Sequence, residues 1–333
     1  MLITFGTRPE YIKVLPIMRE MERRGLSYTT FFTGQHTDLL KNTKKPDYTL
    51  SINSNGKNRL DTIVQSILNN EEIFSKAGSV MVQGDTTSAF GTALAAFHRK
   101  LPVIHLEAGL RTYDKYNPYP EEFNRKAISA LAEIHLCPTL NAESRLNKEG
   151  YKDTFVVGNT VLDNLTEIRT RSSNEVIVTL HRREKHDNIA EWFSAINNLA
   201  KNNPGLLFVL PIHPNPNVAK HAGILTNVSV IEPLGHHEFI ERLAGCKYVI
   251  TDSGGIQEEA AFLGKPCVVC RDFTERDEGL GTHSILCSSP DRLVEGLEWC
   301  DHTTTVDRDQ CPYGDGNAAM YVCDIIEEKE LNK

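Results

Sequence analysis

Short apolar runs recur along the chain, each ending in Gly or polar residues and followed by a segment of helical periodicity. Runs at 1–5, 28–33, 79–83, 102–106, 134–137 and 154–157 form one series, and runs at 176–180, 206–211, 228–231, 247–251 and 266–270 a second. This is the pattern of parallel βαβ units, so the chain is expected to be α/β with two doubly wound parallel sheets. The polar stretch Arg169-Thr-Arg-Ser-Ser-Asn174 separates the series and reads as a linker. The expected domains are 1–169 and 175–312, with a tail at 313–333. Met320, Val322, Ile325 and Ile326 give that tail a helical pattern able to pack back across the first domain.

At 333 residues the chain has room for two cores. A formal charge of −8, with no concentrated basic stretch, disfavours a nucleic-acid or anionic-membrane surface. The apolar opening Met1–Phe5 is too short for a signal-peptide core, and no apolar run approaches the roughly 18 residues of a membrane span, so a soluble cytoplasmic protein is expected. The eight Cys are scattered, which favours reduced thiols over disulfides. Cys267 and Cys270 have CxxC spacing, but on a strand positions three apart face opposite ways, so no metal site is expected.

In open parallel sheets ligands sit beyond the carboxyl ends of the strands. Polar clusters stand there: Gly6-Thr7-Arg8-Pro9-Glu10, Gly84-Asp85-Thr86-Thr87, Glu107-Ala-Gly109-Leu-Arg111, His181-Arg182-Arg183-Glu184, His213-Pro-Asn-Pro and Thr251-Asp252-Ser253-Gly254-Gly255. The last reads as a Gly-rich turn opening a helix, where backbone amides and the helix dipole suit a diphosphate; a Ser N-cap on an ordinary helix fits it equally well. Glu259, about one turn on, is placed to accept from ribose hydroxyls. Glu121 and Arg125 are spaced i, i+4, which in isolation reads as a surface ion pair. Asp85, Glu107 and Glu121 converging at the mouth of one sheet carry more weight, because neighbouring carboxylates raise one another's pKa and can exchange protons near neutrality. His181 opens the second domain's first loop, in a position to face them across a cleft. His98 and His135 read as packing or surface residues, and His36, His213, His236 and His237 as loop histidines. No GxGxxG follows a strand, which argues against a nicotinamide cofactor.

The segments Phe5-Gly-Thr-Arg-Pro-Glu-Tyr-Ile-Lys13, Gln83-Gly-Asp-Thr-Thr87, His105-Leu-Glu-Ala-Gly-Leu-Arg-Thr112, Pro120-Glu-Glu-Phe-Asn-Arg125, Gly158-Asn-Thr160, His181-Arg-Arg-Glu184, Thr251-Asp-Ser-Gly-Gly-Ile-Gln-Glu-Glu259 and Arg271-Asp-Phe-Thr-Glu-Arg276 occur in one order. In that order they resemble the non-hydrolysing UDP-N-acetylglucosamine 2-epimerases, from residue 3 to about residue 318. The resemblance implies two Rossmann-like domains facing a cleft in the glycosyltransferase-B architecture, a UDP-sugar substrate, a homodimer, and interconversion of UDP-GlcNAc and UDP-ManNAc without organic cofactor or catalytic metal. It assigns Arg8 and Lys13 to the phosphates and nearby site, Asp85, Glu107, Glu121 and His181 to the reacting sugar, and Arg125 to support of the carboxylates. Ser253, Gly254 and Gly255 would cradle the diphosphate, Glu259 the ribose, and Phe239 with the backbone at Leu234 the uracil; Arg276 would line the same pocket.

The sugar C2–H is not flanked by a carbonyl, so direct deprotonation is costly. The family's route is elimination of UDP across C1 and C2 to a 2-acetamidoglucal, then re-addition with protonation from the other face, which requires a base, an acid and cations for the departing diphosphate. Position suggests Asp85 and Glu121 for C2, Glu107 for pocket shape and His181 for UDP charge. Many bacterial members are activated by UDP-GlcNAc through a Gln-rich turn after the second strand and an arginine on the following helix; Asp38 and Gln65 depart from that pattern while Gln35-His36 persists, so activation is expected to be weak or absent. A hydrolysing epimerase releasing ManNAc and UDP is disfavoured by Pro9 and Lys13, and a more decorated UDP-HexNAc substrate by Thr7-Arg8-Pro9-Glu10. A non-catalytic nucleotide-sugar sensor would have no need of the carboxylates and His181 together at strand ends.

Overall fold

The structure, a computed structural model, describes residues 1–35, 44–52, 56, 58–180, 188–212, 216–303 and 310–331. The chain packs as two compact units, Met1–Asn164 with Gly316–Lys333, and Leu165–Asp315.

The first unit runs β1 (Leu2–Phe5), α1 (Arg8–Arg24), β2 (Thr29–Phe32), β3 (Tyr48–Thr49), α2 (Arg59–Leu68), α3 (Glu71–Ser75), β4 (Val80–Gln83), α4 (Thr87–His98), β5 (Val103–Leu106), α5 (Glu121–Leu131), β6 (Ile134–Cys137), α6 (Leu140–Lys148) and β7 (Thr154–Val156). All seven strands are parallel, in the order β3-β2-β1-β4-β5-β6-β7. Helices cover both faces, so β1, β4, β5 and β6 are buried at every position, which explains their largely apolar sequences.

Helix α1 shows how local sequence sets an element. Thr7 caps it, Glu10 closes the capping box, Pro9 lies in the first turn where no amide is missed, and Gly25 ends it in the left-handed region. Pro16 lies inside the helix and cannot bond the Ile12 carbonyl, which instead accepts from Asn164 Nδ2 at 3.1 Å.

The second unit continues with β8 (Glu175–Thr179), α7 (Ile189–Asn202), β9 (Leu207–Pro211), α8 (Pro216–Ala219), β10 (Ser229–Ile231), α9 (His236–Gly245), β11 (Tyr248–Thr251), α10 (Gly254–Phe262), β12 (Cys267–Val269), β13 (Ser284–Leu286) and α11 (Leu293–His302). Its parallel sheet is ordered β10-β9-β8-β11-β12-β13, the doubly wound order in which the direction of winding reverses between the first and fourth strands. Trp192, Phe193 and Ile196 of α7 pack with Val176, Val178, Phe208 and Ile250 in its core.

The final helix, α12 (Ala318–Glu328), belongs to the first unit. It buries Val322, Cys323 and Ile326 with Val14, Met18 and Met21 of α1. Asp163 accepts from the amides of Ala318 and Ala319 at 3.1 and 2.7 Å, satisfying orphan donors at its N-terminus. Arg24 bridges Asp324 and Glu327 at 2.6 Å each.

The structure departs from the sequence expectations in several places. β3 and β13 were not expected: one is two residues long and the other is Ser-Ile-Leu, too short for any periodicity to register. The chain leaves the first unit after Asn164, five residues before the expected division, and the polar stretch 169–174 is tied to the second unit by Arg171 N donating to the Ala244 carbonyl at 2.9 Å. The tail is divided too. Tyr313 is buried in the second unit, where its hydroxyl donates to the Arg276 carbonyl at 3.0 Å, and the helix begins only at Ala318. Among the described residues no helix is long and apolar enough to cross a membrane.

Candidate functional site

In the first unit the polar clusters after β1, β4 and β5 meet at the carboxyl ends of adjacent strands. The turn after β1 is built on Glu10, whose carboxylate is fully buried. Oε2 accepts from the amides of Gly6 and Thr7 at 3.0 and 2.7 Å and from Thr7 Oγ1 at 2.7 Å, while Oε1 accepts from Thr86 Oγ1 at 2.7 Å. Burial raises the Glu10 pKa above its ordinary value, against the lowering effect of those hydrogen bonds. Thr86 also caps α4, so one carboxylate ties the ends of β1 and β4 together. Arg8 stands exposed in the first turn of α1 beside this anchor.

One turn on, Lys13 Nζ meets Glu107 Oε2 at 2.5 Å, and Gln83 Nε2 donates to the same oxygen. Glu107 follows β5 with φ +64°, and Gly84 follows β4 with φ +68°. Left-handed residues at the same level of paired strands turn both chains sharply at the sheet edge, with the Gly84 amide donating to the Leu106 carbonyl at 2.9 Å. Asp85, the next residue, accepts from Arg125 Nε at 2.8 Å through Oδ2, and its carbonyl accepts from Asn124 Nδ2 at 2.9 Å.

Asp85 and Glu107 each meet a cation, Arg125 and Lys13. The fully buried carboxylate beside Arg125 is Glu122, not Glu121. Glu122 accepts from the amides of Thr112 and Tyr113 at 3.0 Å each and lies 3.3 Å from Arg125 Nη1. Adjacent glutamates at the start of a helix differ by about 100° in direction, and sequence spacing cannot tell which one faces inward. Glu121 is half-buried at the first residue of α5.

In the second unit the Gly-rich turn after β11 opens α10. Ser253 Oγ accepts from the Ile256 amide at 3.5 Å, and the Ser253 amide donates to Thr251 Oγ1 at 3.0 Å, so the residue does serve as an N-cap. Gly254 leaves room for the guanidinium: a Cβ there would lie 2.5 Å from Arg276 Nη1 and 2.7 Å from Cζ and would displace it. Arg276 therefore lies flat against the turn, buried, with Nε on Glu258 at 2.8 Å and Nη1 on Glu275 at 2.7 Å. Arg271 closes the chain of charges onto Glu275 at 2.8 Å. Gln257 Nε2 donates to the Arg276 carbonyl at 2.8 Å, so α10 and the segment after β12 are locked together. Of the sequence candidates, Arg276 is engaged in this lock, whereas Gly254 and Gly255 form the first turn of the helix. Glu259 Oε1 lies 3.2 Å from His236 Nε2, which joins α10 to the start of α9. His236 and His237 are thus helical and not loop residues. Leu234 just precedes α9 and Phe239 lies on its first turn, both half-buried.

His181, Arg182, Arg183 and Glu184, with His36, Asp38 and His213, lie outside the described residues. Gln35 is described: its Oε1 accepts from Ser88 Oγ at 2.7 Å and its carbonyl from Arg59 Nη2 at 2.5 Å. Cys267 and Cys270 are buried free thiols, and among the described residues no three His, Cys, Asp or Glu side chains group to hold a metal ion. Sequence reasoning missed Gln83, His105, Glu122, Glu258 and Glu275. The signal for Glu275 was present in the charged stretch Arg271-Asp-Phe-Thr-Glu-Arg276, but a charged run is ordinarily a solvated face.

The family model described as UDP-N-acetylglucosamine 2-epimerase matches residues 19–327. The UDP-N-acetylglucosamine 2-epimerase of Campylobacter jejuni is 36% identical over an alignment of 379 positions, spanning 100% of this chain and 98% of that protein. Its Bacillus subtilis counterpart is 36% identical over 360 residues, spanning 98% and 94%. The crystal structure of the Neisseria meningitidis UDP-GlcNAc 2-epimerase bound to UDP-GlcNAc superposes with a TM-score of 0.86 at 34% identity, over 98% of this chain and 99% of that one. A kitacinnamycin glycosyltransferase at 14% identity, with a TM-score of 0.68, shares the fold alone.

Proposed function

Because the chain belongs to the UDP-N-acetylglucosamine 2-epimerase family, we propose that it interconverts UDP-GlcNAc and UDP-ManNAc without hydrolysis, in the cytoplasm. The reaction breaks the C1–O bond to UDP and the C2–H bond to give a 2-acetamidoglucal, then re-forms both with the proton delivered to the opposite face. The observation that carries this reading is the convergence of Asp85 and Glu107 at the ends of paired strands, each fixed by a cation from a neighbouring helix. Oriented carboxylates of this kind are what proton transfer at C2 requires. Asp85 and Glu121 are assigned to the C2 proton, Glu107 to pocket shape and His181 to charge on departing UDP. Arg8 and Lys13 are assigned to the phosphates, with the Ser253-Gly254-Gly255 turn as diphosphate cradle, Glu259 for ribose, and Phe239 with the Leu234 backbone for uracil. Arg276 acts in this scheme by shaping the cradle it packs against.

The test is incubation of UDP-GlcNAc with the protein in D₂O, followed by NMR. Intact UDP-ManNAc with deuterium at C2 supports the reading; free ManNAc with UDP indicates hydrolysis and refutes it. Asp85→Asn and Glu121→Gln should each lower turnover by about 10²- to 10⁴-fold, and wild-type rates in both would refute the assignment of the two carboxylates.

A homodimer is supported by the surface of the first unit. Phe97, Tyr113, Tyr116, Tyr119 and Phe123 are each at least half exposed, aromatic surface of the kind enriched at interfaces. Light scattering should give twice the chain mass, and Phe97→Glu with Phe123→Glu should halve it.

A further inference from the structure

Among the buried polar groups that the proposed chemistry leaves unused is His105. It lies on β5, is fully buried, and follows none of the apolar logic of its strand. Its Nε2 lies 2.8 Å from the Gly84 carbonyl oxygen. A carbonyl can only accept, so Nε2 carries the proton and the imidazole is the Nε2–H tautomer. Nδ1 has no hydrogen-bond partner among the described residues. Burial, opposed by the hydrogen bond to the Gly84 carbonyl and by Asp85 and reinforced by the nearby His135 and Arg111, pushes the His105 pKa down to about 3, so the ring is neutral at all physiological pH.

The Gly84 carbonyl belongs to the peptide that leads directly into Asp85. Rotation of that peptide swings the Asp85 side chain, and Gly84, in the left-handed region, has no Cβ to resist rotation. Four contacts hold the dipeptide: the Leu106 carbonyl on the Gly84 amide, His105 on the Gly84 carbonyl, Asn124 on the Asp85 carbonyl and Arg125 on the Asp85 carboxylate. Two come from α5 and two from β5, and among the described residues His105 is the one that holds the carbonyl of the Gly84–Asp85 peptide itself.

We propose that His105 is a positioning residue for Asp85, fixing the Gly84–Asp85 peptide plane through a neutral Nε2–H donor. This rests on the reading that Asp85 acts on the sugar. A buried neutral donor is suited to the task because it cannot titrate away and its ring has one orientation in a packed core. An aromatic ring without the donor would fill the space but release the peptide, and misplacement of a catalytic group by about 1 Å costs up to about 10²-fold in rate.

The experiment compares His105→Phe and His105→Gln with the wild type, reading kcat, KM and the melting temperature, together with ¹⁵N–¹H NMR of the wild-type imidazoles, His105 being assigned by its loss in His105→Gln. The expected result is an Nε2–H tautomer that persists from pH 5 to 9. His105→Phe should lower kcat by about 10- to 100-fold with KM within about twofold, and His105→Gln, whose amide Nε2 can reach the same carbonyl, should recover at least tenfold of a hundredfold loss. A protonated Nδ1, a folded His105→Phe with wild-type kcat, or a Gln variant no better than Phe at equal stability overturns the proposal. If His105→Phe does not fold, the tautomer and the Gln variant decide. A wild-type chain that neither epimerises nor exchanges deuterium overturns the functional reading and this role with it. An active wild type matched by His105→Phe overturns this role alone.

Discussion

Arg125 is the residue on which the architecture of the first site turns, and Arg125→Leu is its most direct perturbation. The guanidinium holds Asp85 at 2.8 Å and Glu122 at 3.3 Å, and its own side chain is buried. Removing one partner of a buried pair costs about 3–5 kcal/mol, because the carboxylate left behind has lost both water and its counter-charge. Glu122 is fully buried but keeps the Thr112 and Tyr113 amides, which moderates its loss. Asp85 is about a quarter exposed, so solvent screens most of what it loses. The expected cost is therefore near the low end, about 3 kcal/mol, which lowers the melting temperature of a domain of this size by about 6–12 °C. Turnover should fall by about 10²-fold or more, as Asp85 is freed to rotate. Arg125→Lys should lie between, since an ammonium lacks the planar fork that spans two carboxylates. Circular dichroism melts and the NMR epimerisation assay measure both quantities. A variant that melts with the wild type would refute the energetic reasoning, and one that melts early yet turns over at the wild-type rate would refute the link from Arg125 to Asp85.

Gly254→Ala should push the Arg276 guanidinium off the turn and strain its bonds to Glu258 and Glu275, costing about 1–3 kcal/mol of stability. UDP affinity by calorimetry should fall about tenfold, and unchanged affinity would show that the turn does not hold the diphosphate. In acid, burial first and Arg111 second depress the His135 pKa to about 4 from 6.5. The unfolded chain therefore binds the proton that the folded one excludes, and stability falls as the pH drops from about 6.5 towards 4. His135→Phe should reduce the slope of the stability profile from urea melts across that window by up to about 1.4 kcal/mol per pH unit, leaving the part that His105 contributes; an unchanged slope would mean that this ring is not held neutral.

Strand positions and helix caps could be read from the chain because they are local. Largely apolar runs such as Val80–Gln83 and Val103–Leu106 demand a sheet covered on both faces, and Thr7 with Glu10, or Gly25, announce where α1 starts and stops. The candidate positions after β1, β4, β5 and β11 follow from the same logic, since a parallel sheet presents its ligand-facing residues at its carboxyl ends. Which side chains partner there is another matter. That Glu122 and not its neighbour is buried beside Arg125, that His105 takes the Gly84 carbonyl, and that Arg276 lies across Gly254 depend on groups from 3 to 22 residues apart in sequence meeting after the helices dock. The same holds for the division of the tail between Tyr313 and α12. Periodicity fixes which face of an element is apolar, but a buried charge is tolerated only where a particular partner arrives to meet it, and only the folded chain specifies that meeting.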